Sequence, residues 1–355
     1  MELLILDKSF KSVATIDVFE SLIWTDRYCG YGDFEIYTPA NESMKSVLQE
    51  DYYIYIKESE HLMIIEDVEI DTDIEDGARM KVTGRSLESI IERRIIWGQT
   101  TLSGNFQNGI KKLLTENVIL PSDENRKIPN FVFKDSTDEA ITSLEVEAQY
   151  FGENLYDSIV NLCNSKQVGY KILLEGSNFV FSLYAGTDRS YNQVKNPYVI
   201  FSPNFDNLLN SNFVKSMKTL KNVTLVAGEG GGSERKTVSV NASENYGTGL
   251  SRREIFTDAK GVTKNVNGEE ISDGEYINQL KQKGEETLSK NKMTTSFEGE
   301  IDSNSTTYKY EEDYFIGDIV QVENEFGYEA RCRITEYVRS QSDSGIETYP
   351  TYVNV

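Results

Sequence analysis

The glycine-rich run GEGGGSER at 228–235 comes nearest to a ligand-binding motif in this chain. A phosphate-binding loop needs a glycine-rich turn followed by Lys and Ser or Thr at the start of a helix. No Lys stands in that position here, and the sequence TVSV that follows is typical of a strand. The dinucleotide pattern also fails, because Ser233 replaces its third glycine. We therefore interpret the run as a flexible hairpin loop.

The acidic run DTDIEDG carries the first oxygen ligands of a calcium loop. Asp71, Asp73 and Glu75 match positions one, three and five of such a loop. Asp76, however, replaces the glycine of its sharp turn, and Val82 stands where a bidentate Glu is required. The run is predicted to be a strand hairpin with a solvated acidic face.

The chain has one histidine, His61, so it cannot build a metal site from several histidines. A Ser/His or Cys/His nucleophile pair would have to use the same residue. His61 lies in the polar stretch KESEHLM, and we expect it on the surface. Two carboxylates could support glycoside hydrolysis, but the sequence singles out no pair. We predict no catalytic, cofactor-binding or metal-binding residues and no cofactor.

Three cysteines, Cys29, Cys163 and Cys332, lie far apart in the sequence, without a CxxC pair or a Cys/His cluster. This spacing supports neither a zinc site nor a disulfide framework. We expect three reduced cysteines that are buried as small apolar residues.

The balance of charge is strongly acidic, with 58 Asp and Glu against 36 Lys and Arg and a net charge of −22 over 355 residues. This balance argues against DNA or RNA as a stably bound ligand, because such affinity comes from Lys and Arg that neutralise phosphates. Solubility explains the charge. An acidic wall would also suit a channel through which nucleic acid passes without sticking.

The opening sequence, MELLILDKSFKSV, has too short an apolar run for a signal peptide, and no segment approaches the length of a transmembrane span. We therefore expect a protein that is made in the cytoplasm and does not insert stably into a membrane.

Strands dominate residues 1–83, beginning with a hairpin over 21–38 that turns at the sequence GYGD. Alternate apolar residues predict its inward face, which comprises Leu22, Trp24, Phe34 and Ile36. Further strands are predicted at 51–57 and 61–74, and Asp76-Gly77 predicts a tight turn after them. The inward residues of this second hairpin are Val68, Ile70, Ile74, Met80 and Val82. Many short antiparallel strands favour a barrel or a sandwich.

The segment GRSLESIIERRIIW at 84–97 joins these strands to a helical stretch. Ser86 fits an N-cap position, and Glu88 places a carboxylate in the first turn. The spacing puts one face of a short helix at Leu87, Ile90, Ile91 and Arg94. We interpret the segment as an amphipathic joint between two domains.

Helices are then predicted at 105–118 and 153–166, each with an apolar stripe. The first stripe comprises Phe106, Ile110, Leu113, Leu114 and Val118, and the second comprises Leu155, Ile159, Leu162 and Cys163. Two strands joined through Gly176-Ser177 follow them. Helices followed by a hairpin, between β-rich regions, indicate an inserted α/β domain.

The chain is β-rich again from residue 198, and it closes with strands over 294–355. A long charged helix is predicted at 273–291, with an apolar face of Ile277, Leu280 and Leu288. Gly284 is expected to weaken this helix by about 1 kcal/mol relative to Ala.

In this order of elements the chain resembles the baseplate-hub proteins at the tail tip of siphophages and prophages, a group that includes the N-terminal regions of tail-associated lysins. It is also similar, at fold level, to the central hub protein of contractile-tailed phages. The stretches that carry the resemblance are SLIWTDRYCGYGDFEIYTP at 21–39, GRSLESIIERRIIW, NFQNGIKKLLTENVI with RKIPNF at 126–131, VIFSPNFDNLLNSNFVKS at 199–216, NVTLVAGEGGG, GLSRREIFTDA at 249–259 and DYFIGDIVQVENEFGYEARCRITEYV at 313–338.

The resemblance implies an α+β fold that is mainly β, with two antiparallel β-barrel hub domains, an inserted α/β domain and a smaller helical insertion. The implied boundaries are 1–98 for the first hub barrel, 99–197 for the inserted α/β domain, 198–240 and 294–355 for the second hub barrel, and 241–293 for the insertion with the long helix.

The resemblance also implies a structural virion protein, a homotrimeric tail-tip hub that adapts the hexameric tail to a threefold tip and surrounds the channel for the tape measure and DNA. Implied partners are further copies of the chain, the distal tail protein ring, the tape-measure protein C-terminus and a downstream tail fibre, receptor-binding or lysin protein, with DNA only in transit. The implied location is the virion tail tip or baseplate, after synthesis in the bacterial host cytoplasm.

Longer members of the group continue into a peptidase, lysozyme-like or fibre domain, whereas this sequence ends at Val355. We therefore expect no enzymatic activity. Two alternatives stay open: a tail-associated peptidoglycan hydrolase, and a tail protein that binds saccharide on the host surface and so takes part in host cell attachment.

Overall fold

A computed structural model describes residues 1–73, 77–208, 210–242, 247–266, 268–300 and 307–355 of the chain. Within these ranges strands outnumber helices, which confirms a mainly β fold of the α+β class. The strands form one 13-stranded sheet and four small sheets.

The first β region of the chain, from Leu3 to Ser86, is a set of antiparallel strands with one short helix. Its elements are β1 (Leu3–Leu6), β2 (Ser12–Ile16), β3 (Ser21–Arg27), β4 (Asp33–Pro39), α1 (Glu42–Val47), β5 (Tyr53–Ile56), β6 (Leu62–Asp73) and β7 (Gly77–Ser86). A 3₁₀ helix at Leu87–Arg93 follows.

The middle region of the chain, from Thr100 to Tyr184, mixes helices and strands. Its elements are β8 (Thr100–Asn105), α2 (Phe106–Leu114), β9 (Phe131–Lys134), α3 (Glu139–Thr142), β10 (Glu145–Tyr150), α4 (Leu155–Lys166), β11 (Gly169–Glu175) and β12 (Asn178–Tyr184). A π-helical turn at Thr115–Ile119 extends α2, and a 3₁₀ turn lies at Glu124–Arg126.

The last β region of the chain, from Ile200 to Asn354, consists mostly of strands and contains the long helix. Its elements are β13 (Ile200–Phe201), β14 (Asn210–Ser216), β15 (Val223–Ala227), β16 (Thr237–Asn241), β17 (Glu254–Asp258), β18 (Asn265–Val266), β19 (Glu269–Glu270), α5 (Asp273–Lys290), β20 (Thr294–Glu300), β21 (Ile319–Glu323), β22 (Glu329–Ser342) and β23 (Gly345–Asn354). Short 3₁₀ turns lie at Pro203–Phe205, Gly232–Glu234 and Gly249–Ser251.

The large sheet unites the first and last β regions of the chain. Its order is β14-β20-β23-β22-β3-β4-β7-β6-β5-β1-β2, with β21 paired to β22 and β13 paired to β21. The junction is the antiparallel pair β3–β22, whose register runs from Arg27 opposite Glu336 to Leu22 opposite Gln341. The pairings of the described strands do not close this sheet into a barrel, so the two-barrel arrangement stays a prediction.

The predicted hairpin at 21–38 is confirmed as β3–β4. All four residues of its predicted inward face are buried, and Trp24 and Leu22 are completely so. Strict alternation of apolar residues therefore identified the core face of these strands correctly.

The second hairpin, β6–β7, is also confirmed, but one predicted core residue is wrong. Met80 and Val82 are buried, whereas Ile70 is 47% exposed. Strand β5 pairs with β6 only as far as Ile64. The end of the hairpin therefore extends past its neighbouring strand, and the side chain of Ile70 is left exposed to solvent. Ile74, Glu75 and Asp76, and with them the predicted turn and part of the calcium-like run, lie outside the described residues.

Both predicted helices of the middle region are present as α2 and α4, and every residue of their predicted stripes is fully buried. They share one core with Leu87, Ile90 and Ile91 of the 3₁₀ helix. The segment at 84–97 thus packs into the core of the middle region.

The long helix is confirmed as α5, with Leu280 and Leu288 buried and Ile277 half-buried. Gly284 has a role that the sequence interpretation missed. A Cβ atom built at this position would lie 2.6 Å from the Val240 Cγ2 atom of β16. The absence of a side chain lets α5 pack closely on β16, so Gly284 is a packing residue.

Candidate functional site

A polar cleft of about 590 Å³ lies where the first β region, the middle region and the last β region meet. Its walls come from β3, from the loop before β6, from β11 and β12, and from the segment before β21. The ionisable residues of the cleft are Asp26, Lys57, Glu60, His61, Lys171, Glu311 and Asp318. The sequence analysis predicted none of these residues to form a site. They come from separate segments of the chain, and the fold brings them together.

Asp26, at the end of β3, is the most completely hydrogen-bonded of these groups. Its carboxylate accepts bonds from the Trp24 indole N–H at 3.0 Å and from the Ser59 hydroxyl at 2.9 Å. It also forms an ion pair with Arg339 of β22, and both residues are almost completely buried. This pair connects the first and last β regions from within, because β3 and β22 are neighbours in the sheet.

Arg339 is held by aromatic rings as well as by Asp26. Its guanidinium carbon lies 4.8 Å from the ring centroid of Tyr337 and 5.5 Å from that of Tyr310. The two rings stack with centroids 3.7 Å apart. Glu311 lies 3.7 Å from the second guanidinium nitrogen, and burial raises the pKa of its carboxyl above the usual value.

The prediction that His61 lies on the surface is wrong. Its side chain is 8% exposed, and its Nδ1 atom lies 3.2 Å from the buried Glu88 carboxylate. Glu88 Oε1 also accepts a hydrogen bond of 2.7 Å from the Ile172 N–H of β11. His61 begins the buried run that becomes β6, and its polar neighbours KESE concealed that position.

The charge state of His61 follows from its surroundings. Burial alone would lower its pKa, but the Glu88 carboxylate, with Asp26 and Glu60, raises the pKa to about 9. The ring is therefore an imidazolium at neutral pH, paired with a carboxylate that also binds the middle region.

Tyr28 forms a second contact between the regions. Its hydroxyl donates to the Gln167 carbonyl at 3.0 Å, and burial raises its pKa to about 12. Cβ atoms built at Gly169 and Gly317 would lie 2.3 and 2.4 Å from the Tyr28 ring. Glycine at both positions is what allows the ring to fit between the middle and last regions.

A third contact fixes α5 to the middle region. The buried Tyr150 hydroxyl donates a 2.6 Å hydrogen bond to Glu286 of α5. Lys283 lies 2.9 Å from Glu153 and 4.0 Å from the Tyr150 ring centroid. Burial raises the pKa of the Glu286 carboxyl, while Lys283 and the Tyr150 hydroxyl oppose that shift.

The glycine-rich run and the N-cap candidate Ser86 fall outside the cleft, whereas His61 lines it. The run at 228–235 links the paired strands β15 and β16, which confirms the hairpin interpretation. Ser86 does not cap the 3₁₀ helix with its side chain. Its hydroxyl accepts a 2.7 Å hydrogen bond from the Gly32 N–H, so it ties the segment to the β3–β4 turn.

The cysteines are free thiols, as expected. Cys163 and Cys332 are buried, whereas Cys29 is only partly buried. The sequence separation of these residues gave no sign of their positions in space.

The chemistry of the cleft is that of paired charges. Asp26 pairs with Arg339, Glu60 with Lys171 at 2.7 Å, and Asp318 with Arg189 at 2.7 Å. A carboxylate that is engaged by a cation in this way suits a structural joint. Among the residues that the structure describes, no group of three or more His, Cys, Asp and Glu side chains is placed to hold a metal ion.

Of the helices in the described ranges, none combines the length and the apolar character needed to cross a bilayer.

A family model described as Siphovirus ReqiPepy6 Gp37-like protein matches residues 2–351. Three solved structures share the fold, each with a TM-score of 0.58 and 12% sequence identity. They are prophage tail protein gp18 from Listeria monocytogenes EGD-e (100% of this chain, 95% of that chain), the 43 kDa tail protein of prophage MuSo2 from Shewanella oneidensis (100% and 98%), and the tail protein from Neisseria meningitidis MC58 (99% and 96%). A comparison with curated proteins gives no match.

Proposed function

Because the chain belongs to the Siphovirus ReqiPepy6 Gp37-like protein family, a family of phage tail proteins, we propose that it is the structural hub of a tail tip. In this role three copies form a ring that adapts the hexameric tail to a threefold tip. Residues 1–98 and residues 198–240 with 294–355 supply two hub β-barrels per chain. Residues 99–197 and 241–293 are the insertions.

The observation that carries this proposal is the β3–β22 pairing, which merges the first and last β regions into one sheet. A hub must transmit load between the tail tube and the tip without changing shape. A continuous sheet with the buried Asp26–Arg339 pair across its junction supports such a role.

The net charge of −22 supports a channel role for the assembled ring. Carboxylates repel phosphates and gain nothing from counterion release, so DNA would cross such a channel without being held. The proposed partners are the distal tail protein ring on one side, and a fibre, receptor-binding or lysin protein on the other. The tape-measure protein C-terminus occupies the channel before DNA does.

The pairing of the cleft carboxylates supports a role without enzymatic activity. A glycosidase needs one carboxyl group free to donate a proton and another free to attack or to activate water. Asp26, Glu60 and Asp318 are each engaged by a cation, and Glu311 lies 3.7 Å from the Arg339 guanidinium. Zymography on peptidoglycan should show no clearing. Clearing that disappears when one Asp or Glu is replaced would establish the hydrolase alternative instead.

The cleft favours one second candidate, saccharide binding at the host surface. Its aromatic lining comprises Tyr55, Tyr184, Tyr310 and Phe315, and these rings lie beside charged groups. Aromatic walls with a few polar groups are typical of ligand sites. Binding of the purified protein to host cells, lost on replacing Tyr55 and Phe315 by Ala, would support this candidate.

The hub proposal is tested by assembly. We expect mass photometry of the full chain, alone and with the neighbouring distal tail protein, to detect trimers, and negative-stain images to show a threefold ring. A chain that stays monomeric in the presence of its neighbouring tail proteins would overturn the proposal.

A further inference from the structure

An arginine pocket of about 380 Å³ lies where the segment at 84–97 meets the 3₁₀ turn that ends at Arg126. Its arginines are Arg93, Arg94 and Arg126. Arg94 donates from Nε to the Arg126 carbonyl at 2.7 Å and from Nη1 to the Arg93 carbonyl at 2.9 Å. Arg126 donates from Nη2 to the Ile95 carbonyl at 2.7 Å. These bonds hold two guanidinium groups in place and leave further N–H groups of each for a ligand.

The arginine pocket lacks a carboxylate that neutralises it. Two acidic residues line it, but Glu92 pairs with Arg85, and Asp123 caps the 3₁₀ turn. Within the described residues, none of the three arginines forms an ion pair. Burial and the two neighbouring cations lower the pKa of the Arg94 guanidinium. In a chain with a net charge of −22, such a cluster of cations indicates that the anion comes from another molecule.

An exposed apolar surface borders the arginines. Trp97 is 61% exposed, and its ring centroid lies 5.0 Å from the Arg126 guanidinium carbon. Ile95 is exposed as well. A bare anion would leave this surface uncovered, and the net charge of the chain disfavours a nucleic acid. The pocket therefore fits a carboxylate that stands next to an aromatic group, and Arg and Trp are the residue types that dominate binding energy at protein interfaces.

The tip of the β21–β22 hairpin, residues 323–329, presents aromatic groups of this kind. Phe326 is 78% exposed, and it and Tyr328 are the two most exposed aromatic side chains in the described part of the chain. The turn that carries them is held from within. The buried Asn324 side chain accepts hydrogen bonds from the N–H groups of Phe326 at 3.0 Å and Tyr328 at 2.9 Å. The hairpin tip thus holds a phenyl ring out into solvent in a fixed position.

Carboxylates stand at the base of the same hairpin tip. Glu323 and Glu329 lie directly opposite each other across the two strands, an arrangement in which like charges are destabilising. Glu323 accepts a hydrogen bond of 3.3 Å from the Ser202 hydroxyl, and neither carboxylate forms an ion pair within the described ranges. Cations supplied by another molecule would relieve this repulsion. The hairpin tip therefore has the charge and the apolar group that the arginine pocket fits.

We propose that the arginine pocket of one copy binds the hairpin tip of a second copy, with Phe326 against Trp97 and the tip carboxylates paired with the arginines. This inference rests on the proposed function, and it specifies a contact through which the copies assemble. The two surfaces are different parts of the chain, so the contact is heterologous, and such contacts generate a ring when the rotation between copies closes. Each copy in a closed ring then uses one arginine pocket and one hairpin tip.

The test measures self-association of the purified full chain by sedimentation velocity over a series of concentrations. Arg94→Glu and Glu329→Arg should each weaken self-association by at least about tenfold, because each places like charges at the contact. The double variant, which exchanges the two charges, should recover most of this loss. Phe326→Ser should also weaken self-association, although it changes no charge.

Two exposed residues outside the contact provide matched controls. Lys134→Glu makes the same kind of charge reversal elsewhere in the middle region, and Glu347→Arg makes it on the neighbouring hairpin β22–β23. Both should leave self-association unchanged. Circular dichroism establishes that each variant is folded. A photocrosslinker gives a second measurement that does not depend on Arg94: Phe326→benzoylphenylalanine should yield a crosslinked dimer in which position 326 is joined to the peptide that contains Trp97.

Three results would overturn the inference. They are a wild-type chain that does not self-associate, self-association that resists both charge reversals, and a crosslink from position 326 to another surface. A ring that persists in Arg94→Glu defeats this contact alone and leaves the hub proposal standing. A chain that stays monomeric with its neighbouring tail proteins defeats the hub proposal as well.

Discussion

Asp26 of β3 and Arg339 of β22 form an ion pair that is buried inside the sheet, across the junction of the first and last β regions. Neighbouring groups also contact each charge: Trp24 and Ser59 donate to the carboxylate, and the Tyr310 and Tyr337 rings cover the guanidinium. Because the pair is desolvated, loss of one partner leaves the other charge buried without compensation, which costs more than the loss of an exposed pair.

Removing one member of this pair should destabilise the fold strongly. The Arg339→Met variant leaves the Asp26 carboxylate buried without its cation, which costs about 3–5 kcal/mol of unfolding free energy. Urea denaturation followed by circular dichroism measures the loss. The control is Lys8→Ala, which breaks the exposed pair with Asp51 and should cost less than about 0.5 kcal/mol. Equal effects of the two variants would contradict the role given to the buried pair.

The His61–Glu88 pair predicts a loss of stability at alkaline pH. The pKa of His61 is about 9 in the folded chain and about 6.5 when unfolded. Since folding raises this pKa, the stabilisation is complete below about pH 6.5 and disappears as pH rises through about 9. Its size is at most about 3.4 kcal/mol.

The measurement is the unfolding free energy of wild type and His61→Asn from about pH 6 to about pH 10. The two should differ most at the acidic end and converge at the alkaline end. Taking the difference removes the contribution of Tyr, Lys and Cys groups that titrate in both proteins. A difference that stays constant with pH would show that the imidazolium charge is not what stabilises the joint.

Gly284 and Gly274 lie in the same helix and predict opposite outcomes for the same substitution. Gly284→Ala adds a Cβ atom 2.6 Å from Val240 Cγ2 and should destabilise by about 1–3 kcal/mol, despite the better helix propensity of Ala. At Gly274 the nearest atom is Ser272 Oγ at 3.8 Å, so Ala should be neutral or stabilising there.

Thermal unfolding of the two variants provides this comparison. Combining Gly284→Ala with Val240→Ala should recover part of the loss, because it removes the obstructing methyl groups. A stabilised Gly284→Ala protein would mean that α5 does not pack on β16 as closely as described.

The Tyr150–Glu286 hydrogen bond predicts that α5 depends on the middle region. Tyr150→Phe leaves the buried Glu286 carboxylate without this donor and should cost about 1.5–3 kcal/mol. Hydrogen exchange should report the loss mainly in α5 and β10. The comparison variant Lys166→Ala breaks the more exposed pair with Glu285, also between the middle region and α5, and should have little effect.

Local pattern was enough to predict the elements. The alternation of Leu22 and Trp24 with polar residues identified a strand face, and the spacing of Leu155, Ile159 and Leu162 identified a helix stripe. Both patterns depend on residues only a few positions apart in the sequence. They can therefore be recognised without knowing which element packs against the strand or the helix. The end of a strand is different: Ile70 matched the inward pattern but lies where the neighbouring strand has already stopped.

The site could not be predicted, because its members come from distant parts of the chain. His61 looked polar and exposed until Glu88 and the Ile172 N–H were placed beside it. Gly284 looked like a weak point of a helix, since the contact with Val240 exists only once β16 is in place.

The β3–β22 pairing also determines when the molecule can finish folding. Strand β3 emerges early in synthesis, but its partner on one side, β22, is made only after the whole middle region. Contacts of such long sequence separation require closure of a large loop before they contribute, which makes them slow. Until β22 arrives, one edge of β3 is open to pairing with other chains. Synthesis of β22 is therefore the step that covers this edge of β3.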